Sequence, residues 1–230
     1  MIVADPKTLT EIAGSVAAYA RVHVGGCGAC VTVCRAGGRA EAEDIARRLS
    51  SPAAHGGRVP PELTVGAIER QCERDLVKDH LAVPEGTEAV LSLACGCGVQ
   101  VVADVLEPLP VIPALSTTFM GGSDEPGVWS EKCEGCGDCL LATTGGICPI
   151  ARCAKSLLNG PCGGSHAGLC EVEGDLPCAW QLIHDRLKLQ GRLDLIMACR
   201  PPRSWRRAGY GGLRSRRRTG VAGGPGDTGR

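Results

Sequence analysis

Fifteen cysteines in 230 residues, gathered into two dense groups, restrict this chain more than any other feature of its sequence. Aromatic residues make up only 3% of it, so the apolar core is thin, and small cysteine-rich regions of that kind are closed by disulfides or by metal. Residues 1–20, MIVADPKTLTEIAGSVAAYA, lack a basic start followed by an apolar run. No uninterrupted apolar stretch approaches the roughly 18 residues of a membrane span. A cytoplasmic chain is therefore expected, where thiols stay reduced and close cysteine spacing favours metal over disulfides.

The formal net charge of zero hides an asymmetry. Residues 200–230 hold nine arginines and one acid, Asp227, which leaves residues 1–199 with 16 Lys+Arg against 24 Asp+Glu, a net of −8. The basic, Gly-rich end reads as a disordered tail over 200–230. No aromatic-interleaved basic face and no nucleic-acid motif accompanies it, so no nucleic-acid partner is expected.

Residues 1–122 alternate helix and strand. Thr8 and Glu11 have capping-box spacing, with Leu9, Ile12 and Val16 at helical intervals behind them. Strands are expected at Arg21–Val24, Leu63–Ile68, 88–94 and Leu109–Pro113, with helices over Glu41–Leu49, Glu73–Leu81 and Val99–Leu106 between them. Strands separated by helices specify an α/β class: a small parallel-sheet, Rossmann- or flavodoxin-like N-terminal domain covered by helices on both faces. Gly121–Gly127 reads as a joint. Residues 128–199 form a Cys-rich, loop-dominated metal-binding domain that ends in an amphipathic helix with Trp180, Ile183, Leu187 and Leu189 on its apolar face.

The first cysteine group is Cys27-Gly-Ala-Cys30-Val-Thr-Val-Cys34, whose glycines let backbone N–H groups turn toward the sulfurs. Three ligands leave one iron of a cluster unsatisfied, so Cys72 or Cys95 is required as a fourth. By the strand assignment, Cys27, Cys72 and Cys95 each follow a strand's carboxyl end, the edge where open parallel sheets gather ligands. Cys97 is the weaker candidate. The bland alternative for a lone cysteine there is a small buried apolar side chain. The second group, Cys133-Glu-Gly-Cys136-Gly-Asp-Cys139 and Cys148-Pro149, keeps two ferredoxin spacings and the Cys-Pro but stretches the last gap to eight residues. Cys153, Cys162, Cys170 and Cys178 follow, and eight cysteines over residues 133–178 suffice for two four-thiolate sites, of iron–sulfur or of zinc. His23, His55, His80, His166 and His184 are poor ligands beside so many thiolates, although His166 is placed to tune a site by hydrogen bonding. Hydrolytic triads, a Walker loop and a dinucleotide GxGxxG are absent, and no catalytic residue is assigned.

The run from Cys133 to Leu187, CEGCGDC through CP-x3-CAK-x3-NGPCGG to HDRL, resembles the C-terminal domain found with methylenetetrahydrofolate reductases. GGCGACVTVC, RQCERDLVK, LSLACGCGVQVVAD and STTFMGG resemble the remainder of the MetV-type iron–sulfur subunit family of the Wood–Ljungdahl pathway. The resemblance spans residues 20 to about 196. It implies a non-catalytic redox subunit that passes electrons to a flavin-bearing methylenetetrahydrofolate reductase, with the flavin in that partner only and a further electron-donating complex behind it. The partner family is similar to a TIM barrel, for which this chain has no room. The resemblance carries metal ligation onto all thirteen cysteines: Cys27, Cys30, Cys34, Cys72, Cys95, Cys133, Cys136, Cys139, Cys148, Cys153, Cys162, Cys170 and Cys178. One [4Fe–4S] cluster is expected in the first domain and one or two in the second, with zinc as the competitor at one site there. The alternative is a zinc-stapled scaffold that docks and stabilises the reductase without relaying electrons; a corrinoid-linked accessory protein is a third reading.

Overall fold

Valine, leucine and alanine concentrate in the segments that the sequence marks as strands, and in the computed structural model these build the centre of the first of two units, Met1–Lys132 and Cys133–Arg230. The structure describes residues 1–203 and 214–215. The first unit runs β1 (Ile2–Pro6), α1 (Leu9–Val16), β2 (Arg21–Cys27), α2 (Cys30–Val33), α3 (Arg39–Leu49), β3 (Glu62–Ile68), α4 (Arg74–His80), β4 (Ala89–Leu93), α5 (Gly96–Leu106), β5 (Val111–Pro113), β6 (Leu115–Glu125) and β7 (Val128–Cys133). β2 to β5 form one parallel sheet in the order β3-β2-β4-β5, with Val24 opposite both Val65 and Leu91. An α/β fold with a parallel four-stranded sheet is thus present as expected.

Both faces of that sheet are covered, which is why all five residues of β4 are buried. On one face Ile12 and Val16 of α1 and Ala42, Ile45 and Leu49 of α3 pack on Val22, Val24, Leu91 and Leu93. On the other, Val77 of α4 and Val102 of α5 meet Ile68, Leu81 and Val90. Thr8 caps α1 by accepting the Glu11 N–H at 3.2 Å, but the Glu11 carboxylate takes Lys7 Nζ instead of the cap backbone, so the capping box is half made.

β2 buries a histidine, His23, which is 2% exposed. Its Nδ1 lies 2.9 Å from Thr64 Oγ1, and its Nε2 is buried with no hydrogen-bond partner among the described residues. Burial holds its pKa below the ordinary 6.5. The folded state therefore refuses a proton that the unfolded chain accepts. Stability from this residue is complete above about pH 6.5 and falls as pH drops from there toward the lowered folded value, no more steeply than about 1.4 kcal/mol per pH unit for one proton. Urea midpoints measured across this range should show that slope, and His23→Gln should flatten it.

The sequence reading misses the second sheet, β1-β6-β7, in which β1 and β6 pair antiparallel with Val3 opposite Phe119. Gly121–Gly127, expected as a joint, is instead the end of β6 and the turn into β7. Its glycines and polar residues carry no strand signal. Pairing with β1, more than a hundred residues earlier in the chain, gives β6 its strand conformation. This sheet packs Val3, Ala4 and Leu115, with Phe119 and Trp129, against Val31 and Ala36.

The second unit is mostly loop, with α6 (Pro149–Arg152), α7 (Ala179–Leu189) and α8 (Asp194–Met197). Trp180, Ile183 and Leu187 form its small core, edged by Ile147, Leu157, Leu195 and Ile196. Leu189, expected on that apolar face, is 87% exposed, because two residues beyond Leu187 is the far side of a helix. Among the described residues no helix is long and apolar enough to cross a membrane. The tail expected to be disordered lies largely at 204–213 and 216–230, outside the described residues.

Candidate metal centre

Three adjacent strands of the parallel sheet end at the same edge, and each is followed by a cysteine. Cys27 is the last residue of β2, Cys72 lies in the loop between β3 and α4, and Cys95 immediately precedes α5. The chain leaves β2 toward β3 on one side and reaches β4 on the other, so the topological switch point falls between β2 and β4. Outside the carboxyl ends at such a point, open parallel sheets form their ligand crevice. Burial pushes the Cys72 thiol above its ordinary value, and the neighbouring Cys95 and Cys27 push it further. A thiol such as Cys72 that resists losing its proton beside other sulfurs is one that a cation would relieve.

Cys97, set aside on sequence grounds, sits in the first turn of α5; burial raises it, followed by the charge of Cys95 and a hydrogen bond between the two thiols. Only the two-residue spacing at a helix start hinted at that pairing. Cys27 and Cys34 share an apolar cluster with Val31, against which Cys95 packs, and Cys34 Sγ lies 3.5 Å from Val31 O. Cys30 is half-buried at the start of α2. The loop after α2 is held by Cys27 N–H donating to Gly37 O at 2.8 Å. A Cβ on Gly37 would stand 2.2 Å from Leu93 O, so only glycine lets this loop pass the end of β4.

In the second unit, Cys153, Cys162, Cys170 and Cys178 line one narrow cavity of about 20 Å³ together with Lys155, Glu171 and Trp180. The Gly164 N–H points at Cys162 Sγ from 3.4 Å and is the main cause of a lowered Cys162 pKa, with Lys155 adding to it. Lys155 also pairs with Glu171, whose Oε1 accepts from Cys162 at 3.5 Å. Cys178 directly precedes α7, so negative charge on its sulfur meets the positive end of that helix.

Cys133, Cys136, Cys139 and Cys148 sit on a separate stretch, and Cys199 stands exposed apart from both groups. Gly135 N–H lies 3.3 Å from Cys133 Sγ, Cys136 is buried, Cys139 is exposed and Cys148 caps α6. Arg203 donates to the Cys136 and Asp138 carbonyls at 3.4 and 3.0 Å, and Arg214 to Gly135 O at 3.2 Å, tying down the loop that bears three of these thiols. All fifteen cysteines are free thiols. Among the described residues, no three His, Cys, Asp or Glu side chains already close on a single point as metal ligands. The structure thus brings thiols into groups without fixing a coordination shell.

A doubly wound α/β unit with thiols at its switch point, followed by a thiol-rich segment, is the class of protein that the fold and these groups define. Residues 112–206, less than half of the chain, match the family model described as methylene-tetrahydrofolate reductase C terminal. No curated protein and no solved structure matches significantly.

Proposed function

We propose that this chain is an iron–sulfur electron-transfer subunit that works beside a separate flavin-dependent methylenetetrahydrofolate reductase and relays electrons to its flavin. The observation that supports the reading is that Cys27, Cys72 and Cys95 lie at the carboxyl ends of three adjacent strands of the parallel sheet. The donor set is all thiolate, which selects iron–sulfur or zinc over harder cations. Cys30 or Cys34 completes the first set. Cys133, Cys136, Cys139 and Cys148 form a second, and Cys153, Cys162, Cys170 and Cys178 a third.

A [4Fe–4S] cluster supplies one-electron transfer. The chain's own groups then set how much negative charge each site tolerates. N–H groups of Gly135 and Gly164 face the sulfurs of Cys133 and Cys162, and the Lys155 ammonium neighbours Cys162. At the third set, where Cys153, Cys162, Cys170 and Cys178 line one narrow cavity, zinc is the alternative occupant. A tetrahedral ion there would staple the unit rather than carry electrons.

The test is an anaerobic mixing experiment with the full chain and a flavin-bearing methylenetetrahydrofolate reductase. The chain, reduced beforehand, should pass its electrons to the oxidised flavin, seen as bleaching of the flavin band. A chain that accelerates or stabilises the reductase but never reduces its flavin would replace this reading with the zinc-stapled scaffold.

A further inference from the structure

The residue before Cys72 is a glutamine that is 1% exposed, and nothing in the electron-transfer reading uses it. A buried carboxamide is costly unless its donors and acceptor are all met. Here they are met by groups on two different strands. Gln71 Nε2 donates to Gly25 O at 2.9 Å and to Gly26 O at 3.0 Å, at the end of β2. Gln71 Oε1 accepts from Ser92 Oγ at 2.6 Å, on β4, where Ser92 is itself wholly buried and stands in register with Gly25.

We propose that Gln71 is a positioning residue: its side chain reaches from the Cys72 loop across the end of β2 to β4, and so sets the separation of Cys27, Cys72 and Cys95. The three bonds tie the Cys72 loop to the other two cysteine-bearing segments. Gly25 and Gly26 lie within two residues of Cys27, Ser92 lies three before Cys95, and Gln71 adjoins Cys72. The surrounding chain leaves space for the amide. A Cβ on Gly98, in the first turn of α5, would come 3.1 Å from Gln71 Cβ and 2.7 Å from Ala94 Cβ, and one on Gly25 would come 3.4 Å from Gln71 Nε2. Exposed loop cysteines need such an anchor. Cys72 is exposed, and the loop that carries it has no regular structure of its own. Groups that orient ligands without touching the metal typically carry about 10- to 100-fold in metal affinity.

The importance of the latch for metal rests on the cluster reading above, so the test separates the two. Full-length wild type, Gln71→Met, Gln71→Glu and Ser92→Ala are compared. Methionine keeps the length but makes none of the bonds, and glutamate turns an acceptor toward the two glycine carbonyls. In the reduced, metal-free chain, a short dimaleimide should join the Cys72 peptide to the peptide carrying Cys95 and Cys97 in wild type. That crosslink should be weak in both Gln71 variants and intermediate in Ser92→Ala. After anaerobic loading with iron and sulfide, release of iron to a chelator should be about 10- to 100-fold faster in Gln71→Met, with an altered EPR spectrum. A residue that only stabilises the fold would lower the urea midpoint and leave crosslink yield, release rate and spectrum at wild-type values, and that result overturns the proposal. If the Gln71 variants do not fold, Ser92→Ala, which loses one bond, decides the matter by the same readouts. Wild type that crosslinks but loads no iron would sink the cluster reading while the crosslink contrast still judges Gln71.

Discussion

Removing metal from the second unit should unfold it while the first unit stays intact. Its buried apolar side chains among the described residues are few: Cys136, Ile150, Ala179, Trp180, Ile183 and Leu187. One 11-residue helix rests on loops, and a helix of that length is marginal in water without packing. So small a core does not hold a loop-rich segment by itself, and in small domains metal binding becomes folding free energy, about 10–16 kcal/mol for structural zinc in zinc-finger peptides. The first unit has its own three-layer core around a four-stranded sheet and does not need the ion to fold. Hydrogen exchange on the full chain before and after anaerobic chelation reads both units at once. Protection across Ala179–Leu189 should vanish while β2 and β4 remain protected. Unchanged protection in that helix after complete metal loss would show that the thiols are not its staple.

Cys72→Ser and Cys95→Ser should each remove about four iron atoms per chain, one whole cluster, and leave the fold in place. Both lie at the sheet edge rather than within it, and Cys72 is exposed, so neither change opens a core cavity. Cys97→Ser, beside Cys95 but outside the proposed ligand set, should cost far less iron. Iron and sulfide assays with EPR on the reduced proteins give the comparison. Full iron retention in both Cys72→Ser and Cys95→Ser would mean that these loops approach one another for some other reason.

How much of this was legible in the sequence follows from range. The parallel strands were readable because β2, β3 and β4 are short apolar runs with helices between them, and their local pattern agrees with the global sheet. From that alone Cys27, Cys72 and Cys95 were each expected just past a strand's carboxyl end; that the three strands are neighbours, with Cys27 the last residue of its strand, comes from the structure. The β1-β6-β7 sheet was hidden because Ile2–Pro6 looks like a ragged start and Leu115–Glu125 contains two glycines and several polar residues; only pairing across the chain makes them strands. Gln71 was invisible for a related reason. A glutamine between Arg70 and Cys72 in a charged loop reads as solvent-facing, and its burial depends on glycines and a serine contributed by two other strands. In the second unit, spacing told that thiols abound but not that Cys153, Cys162, Cys170 and Cys178 share one cavity, since that depends on how loops of irregular backbone return on themselves.

What the clustered sulfurs hold decides the function of this chain. The most direct measurement is iron, acid-labile sulfide and zinc on the full chain isolated without oxygen, together with an EPR spectrum after reduction. A brown protein with at least about four iron atoms and as much sulfide per chain, giving a reduced-cluster signal, is the predicted result. A colourless protein carrying zinc alone, silent on reduction, would contradict it.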